Sequence, residues 1–139
     1  MTDFLDTNIL VYAYDSHVPA KQEIARQILE SAILDESAAI SAQILSEFFV
    51  VVTRKIATPL TAAEAGGAIS LFRALPVAEV DAVLVEAAVG MHQRHAVSFW
   101  DGLVIAAATR MGCSRLLSED LQAGQRINGL QIVNPFSRN

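Results

Sequence analysis

The 139-residue sequence predicts an α/β fold, a mainly parallel sheet with helices on both faces. Two observations predict it. Strand-like apolar runs alternate with helix-like stretches along the whole chain, so each strand is followed by a helical crossover. At 53% hydrophobic and 18% charged, the chain is also rich enough in apolar residues to bury a large core. It has no internal repeat, low-complexity segment or linker, so one domain over residues 1–139 is expected.

Each element has a local reason. Residues 3–6 are the first strand, and residues 8–14 a short helix. Pro19 suits the first turn of a second helix, where Ile24, Ile28, Leu29 and Ala32 fall on one face. "AAISA" at 38–42 is a short buried strand, followed by a helix that reaches Lys55. Thr61 with Glu64 makes a capping box for a helix whose stripe is Ala65, Ala68, Ile69 and Phe72. Asp81 caps the next helix, which reaches Arg94. Ser98 with Asp101 opens another, and Gly112 closes it. "SRLLS" at 114–118 is a strand, Asn128–Gly129 a turn, and "LQIVN" at 130–134 the last strand. In such sheets the ligand crevice lies beyond the carboxyl ends of the strands.

Composition narrows the function. A net charge of −5 excludes a protein that holds nucleic acid by charge alone. It suits a basic protein partner, or a site that recruits cations. No apolar run approaches the roughly 18 residues of a membrane helix. No basic stretch precedes an apolar one near Asp3, so no signal peptide is expected, and a cytoplasmic location is. Cys113 stands alone, which excludes an intramolecular disulfide and a thiolate zinc cage; it is expected to be a small buried hydrophobe. His92 and His95 lack a carboxylate or thiol at ligand spacing, which argues against zinc, and His17 has no obvious partner. No glycine-rich phosphate loop and no Ser–His–Asp order is present.

Four carboxylates stand where an apolar chain has little reason to put them. Asp6 ends the first strand, between the apolar runs of "FLDTNILVYAYD"; capping the following helix is its ordinary structural role. Glu47 flanks the stripe Ile44, Leu45, Phe48, Val51 and Val52, and a salt bridge to Arg54 is its ordinary reading. Asp101 is the only ionised group at the start of a helix that is apolar from Leu103 to Ala108; capping beside Ser98 is the alternative. Asp120 lies just past a strand in "LLSED", again with capping as its bland role. Each has a structural excuse, but three flank strand–helix junctions and the fourth lies in a helix that follows a strand, which allows the topology to gather all four at one sheet edge.

Close carboxylates repel and take up protons unless a cation neutralises them. The cation that fits is hard and oxygen-loving, Mg²⁺ or Mn²⁺, held by few protein oxygens and several waters. Such an ion acidifies a water for attack on phosphorus. Thr7, Asn8 and Ser118 supply neutral groups that hold carboxylates or waters in place.

With those residues in hand, the sequence resembles the PIN-domain ribonucleases of the VapC toxin type. The resemblance runs over nearly the whole chain, on "FLDTNILVYAYD", "ISAQILSEF", "SFWDGLVIAAA" and "LLSEDLQAGQRINGLQIVNPF". It implies a three-layer α/β/α sandwich with a four- or five-stranded sheet. It implies a Mg²⁺- or Mn²⁺-dependent endoribonuclease. Asp6 and Asp101 would hold the metal, with Glu47 and Asp120 acting directly or through water, and Thr7, Asn8 and Ser118 in support. It further implies a homodimer, and a toxin inhibited by a small DNA-binding antitoxin. Gln122 stands where many such proteins carry a further Asp, so one firmly bound ion is expected. Arg54, Lys55 and Arg126 are candidate RNA contacts, each with the alternative of a solvated basic side chain. Phe99 and Trp100 are able to stack on a base, but beside a buried helix start they are expected in the core.

Two phosphoryl-transfer alternatives fit poorly. A haloacid-dehalogenase-like phosphatase wants an Asp at position 8, where this chain has Asn8, and a Lys in the later half, whereas the last is Lys55; a receiver domain fails similarly. The serious rival is a PIN fold that no longer cleaves and serves as a protein- or RNA-binding module.

Overall fold

The computed structural model describes residues 3–137. In chain order the elements are β1 (Asp3–Leu5), α1 (Thr7–Tyr12), α2 (Pro19–Asp35), β2 (Ala38–Ser41), α3 (Ala42–Arg54), α4 (Ala62–Phe72), β3 (Val77–Ala78), α5 (Ala82–His95), α6 (Phe99–Arg110), β4 (Arg115–Leu117), β5 (Arg126–Ile127) and β6 (Leu130–Val133). They form one sheet in the order β3-β2-β1-β4-β6-β5. Every pairing is parallel except that of β5 with β6. The four strands read from the sequence are β1, β2, β4 and β6. Strands β3 and β5, two residues each, extend the sheet at its edges to six.

The topology sets the layers. From β1 the chain steps to β2 and β3 in one direction, then returns across the sheet to β4. Parallel crossovers are right-handed, so reversing the direction of travel moves the helices to the opposite face. Helices α1 to α4 therefore pack with one another, and α5 and α6 form a second layer against each other.

Local chemistry fixes the helix ends. Ser41, Asp81 and Ser98 each accept a backbone N–H three residues on, and Thr61 with Glu64 forms the complete capping box. Gly112, at φ 74°, ends the turn after α6, where a side chain would be strained. The core is built from Phe4, Leu5, Ile9, Leu10 and Ile40 on or beside the sheet, with Phe48 and Phe72 meeting edge-on at 4.9 Å. Helix α6 is buried from Gly102 through Ala108. A Cβ at Gly102 would stand 2.7 Å from the carbonyl oxygen of Ala88, so this glycine permits the close approach of α5 to α6.

Three residues expected to be buried are less so. Trp100 is 60% exposed, because the buried stretch of α6 begins only two residues later, and Phe99 is half-buried. Cys113 is half-buried rather than buried; its thiol donates to the Asp3 carbonyl at 3.4 Å, and burial pushes its pKa up to about 11. No helix among the described residues is long and apolar enough to cross a membrane.

Candidate active site

Strand β1 lies between β2 and β4, reached by crossovers on opposite faces of the sheet. Their carboxyl ends diverge there, which is where open α/β sheets place ligands. A cleft of about 650 Å³ opens at this point, lined by Thr7, Asn8, Tyr12, Glu47, Lys55 and Asp120 among others.

Asp6 follows the last residue of β1, and its backbone N–H donates to the Leu117 carbonyl of β4 at 3.0 Å. This fixes its backbone on a strand end. The side chain is 6% exposed. One carboxylate oxygen accepts from the Thr7 N–H at 2.8 Å, and the other from the Ser118 hydroxyl at 2.6 Å. Asp6 is thus both the expected helix cap and a buried acid held by a second group. Burial pushes its pKa up to about 6; these hydrogen bonds pull the other way, and the nearby charges of Asp120 and Glu47 add to the rise.

Glu47 lies on α3 and faces α1. Its Oε1 accepts from the Thr7 hydroxyl at 2.7 Å, and Oε2 lies 3.4 Å from the Gln43 amide nitrogen. The salt bridge to Arg54 is not formed; that side chain is exposed at the end of α3. Asp120 lies in the turn after β4, where Asn8 of α1 donates to its Oδ2 at 3.1 Å. No helix follows it, so it caps nothing. Asn8 also accepts the Glu119 N–H at 3.3 Å, and Ser118, fully buried, accepts the Asp120 N–H at 3.1 Å. The side chains of Thr7, Asn8 and Ser118 therefore donate to one acid each, Glu47, Asp120 and Asp6.

Asp101 occupies the first turn of α6. The cap at this end is made by its backbone N–H, which donates to the Ser98 hydroxyl at 3.0 Å. The carboxyl group is half-buried, and burial raises its pKa against a hydrogen bond from Ser98, with the charges of Asp120 and Glu47 raising it further. Asp6 and Asp101 thus each feel both Glu47 and Asp120, which places the four acids in one electrostatic neighbourhood.

No basic side chain among the described residues forms an ion pair with them. The ion pairs among the described residues are Lys21–Glu119, Arg110–Asp81 and Arg115–Asp3, none of which involves the four. As the side chains stand, no group of three acidic, His or Cys residues among those described encloses a single point. The donor set still fits Mg²⁺ or Mn²⁺, which keep several waters and need only one or two direct carboxylates. The raised pKa values of Asp6 and Asp101, which form no ion pair among the described residues, suit such a site.

The candidate RNA contacts separate. Lys55 lines the cleft. Arg54 does not, and Arg126 is engaged by the Gly129 carbonyl and Gln131 in the β5–β6 hairpin at the sheet edge. Sequence reading missed two groups. Gln43, one helical turn before Glu47, was legible as its neighbour on one face. Lys21, Tyr12 and Glu119 form a second cluster: Tyr12 donates to Glu119 at 2.6 Å, and Lys21 pairs with Glu119 and lies 4.8 Å from the Tyr12 ring centroid. Burial of Glu119 works against its ionisation, but the bonds from Lys21 and Tyr12 hold its carboxyl below the ordinary value. Nothing local in the sequence joins residues so far apart.

Residues 4–126 match the family model of the PIN domain. The chain belongs to the PIN-domain family. Among solved structures it is similar to VapC20 of Mycobacterium tuberculosis, a sarcin–ricin-loop-cleaving toxin. Identity is 24%, with 86% of this chain and 90% of that one covered and a TM-score of 0.69. A toxin–antitoxin complex from Klebsiella pneumoniae matches at 18% identity over 96% and 98% of the two chains, TM-score 0.69. VapBC2 of Rickettsia felis, bound to a promoter DNA fragment, matches at 20% over 95% and 97%, TM-score 0.66. At these identities the likeness shows the fold. No curated protein matches the sequence.

Proposed function

We propose that this PIN-domain chain is a Mg²⁺- or Mn²⁺-dependent endoribonuclease that hydrolyses RNA phosphodiester bonds as the toxin of a cytoplasmic toxin–antitoxin pair. One observation carries the reading. Asp6 and Asp101 each feel the charges of Glu47 and Asp120, and none of these four acids, from four separate segments, forms an ion pair among the described residues. Without a cation such an arrangement only weakens the fold.

In this reading Asp6 and Asp101 hold the ion, with Glu47 and Asp120 acting directly or through water. The ion, when bound, supplies a nucleophile from water at neutral pH and offsets charge on the phosphate. The chain's own groups do the rest. Ser118 and the Thr7 N–H fix the Asp6 carboxylate, the Thr7 hydroxyl aims Glu47, and Asn8 aims Asp120. Lys55, on the cleft wall, attracts phosphate in a chain whose net charge otherwise repels it. The partner is a small basic, DNA-binding antitoxin. Supporting it are the net charge of −5 and structural neighbours solved as toxin–antitoxin complexes, some with DNA. A homodimer is the proposed assembly.

The test is incubation of the purified protein with total RNA, with Mn²⁺ and with EDTA. Cleavage that requires the metal and disappears in Asp101→Ala is expected. Cleavage that persists in EDTA or survives that substitution overturns the mechanism.

A further inference from the structure

Trp100 has no part in the site described so far. It is the only tryptophan in the chain, it stands beside Asp101, and it is 60% exposed. Phe99 meets its ring edge-on at 5.1 Å and 76°, which steadies the indole. A second cleft, of about 480 Å³, opens beside it, lined by Gln43, Ser46, Glu47, Val80, Trp100 and Leu103. Ser46 and Glu47 line the first cleft as well, so the two share a wall on α3.

Gln43 ties this wall to the tryptophan. Its amide nitrogen donates to the Trp100 carbonyl at 3.2 Å and lies against Glu47. The residue is 8% exposed, and its Oε1 is the one buried side-chain oxygen or nitrogen among the described residues without a hydrogen-bond partner. A buried acceptor without a donor is costly, so this wall is chemically incomplete.

We propose that the second cleft is a nucleobase subsite, in which one unpaired base of an RNA strand stacks on the Trp100 indole while the adjoining phosphate lies at the carboxylates. The inference rests on the ribonuclease reading and deepens it by assigning a place to one base of the substrate. Three features select a base. The cleft offers an aromatic plate with the apolar floor of Val80 and Leu103, and a base has a matching π-face. Its lining carries no Lys or Arg to hold a phosphate, whereas the base is the uncharged part of the nucleotide. Gln43 adds an amide to the lining, the type of group that pairs with the donors and acceptors of a base edge. A base inside a duplex is not available to stack in this way.

Because Trp100 is the sole tryptophan, its fluorescence reports the subsite directly. The test uses Asp120→Asn protein in Mg²⁺, titrated with an eight-nucleotide oligoadenylate and with the same strand in a duplex. Saturable quenching by the single strand, and none by the duplex, is expected. Trp100→Ala should weaken binding, followed by labelled oligonucleotide anisotropy, by roughly 5- to 150-fold. Trp100→Phe, which keeps a ring, should stay within about threefold. In the cleavage-competent protein, Trp100→Ala should raise KM for RNA more than it lowers kcat, at unchanged melting temperature. The inference is overturned if RNA is cleaved but the fluorescence does not respond and Trp100→Ala leaves KM unchanged. It is equally overturned if the indole emits as a buried group in a dimer that Trp100→Ala dissociates, since a second copy then fills the cleft. Failure of the ribonuclease reading looks different: quenching by the oligonucleotide with no cleavage under any metal.

Discussion

Replacing Asp6 by asparagine removes a charge that the fold holds at a cost. Burial raises the Asp6 pKa from 3.8 to about 6. A raised pKa means the folded state binds the proton more tightly than the unfolded state does. The resulting stability is fully present below the unfolded value and is lost as pH rises through the folded one. At neutral pH the ionised group therefore weakens the metal-free protein by about 3 kcal/mol, at 1.36 kcal/mol per pH unit. An amide carries no such cost, but it fits the Ser118 hydroxyl less well, which returns roughly 1 kcal/mol. The net gain of about 2 kcal/mol corresponds to a melting temperature higher by about 6 °C for a chain of this size. Scanning calorimetry of both proteins in EDTA, between pH 4 and pH 8, should show a gap that opens between about pH 4 and pH 6 and stays constant above. Millimolar Mn²⁺ should then raise the melting temperature of the parent chain and leave that of the variant almost unchanged. A variant less stable than its parent at pH 8 without metal would refute the reasoning, because the buried charge would then be a net stabiliser.

Three further outcomes are expected. Mn²⁺ affinity, measured by calorimetric titration, should fall as pH drops through about 6, because the ion must displace the Asp6 proton. Thr7→Val keeps the shape but releases Glu47, and should cost about 10- to 100-fold in metal affinity or RNA cleavage. Gly102→Ala gains about 1 kcal/mol of helix propensity but forces a methyl group onto the Ala88 carbonyl, so a net loss of about 1 to 2 kcal/mol is expected in denaturant titration.

The sequence was most readable where a signal is local. Thr61 with Glu64, Asp81, Ser98 and Gly112 mark helix ends within three or four residues, and each does what its type predicts. The uninterrupted apolar run of α6 announced its burial from Leu103 to Ala108. The edge strands β3 and β5 are two residues long, too short for any alternation to show, although the turn at Asn128–Gly129 that closes the β5–β6 hairpin was visible. Trp100 stands outside the core because the first turn of α6 protrudes, and the apolar run that follows carries no sign of this. At the site, Asp6 and Ser118 were readable as strand-end residues, and Glu47 as an acid beside a core stripe. Which partner each would find was not. Thr7 with Glu47 and Asn8 with Asp120 are contacts across 40 and 112 positions, set by strand order alone.

The anchoring of the four acids is uneven, and this has a consequence in salt. Asp6 is fastened by the sheet, Glu47 and Asp101 by helices, but Asp120 rides on a turn. That turn is moored to α2 through the pair of Glu119 with Lys21, whose side chains remain 25% and 33% exposed. Mobile ions screen a pair so placed, while they scarcely reach a carboxylate shut behind Ser118. Ionic strength thus acts on one corner of the constellation and spares the rest.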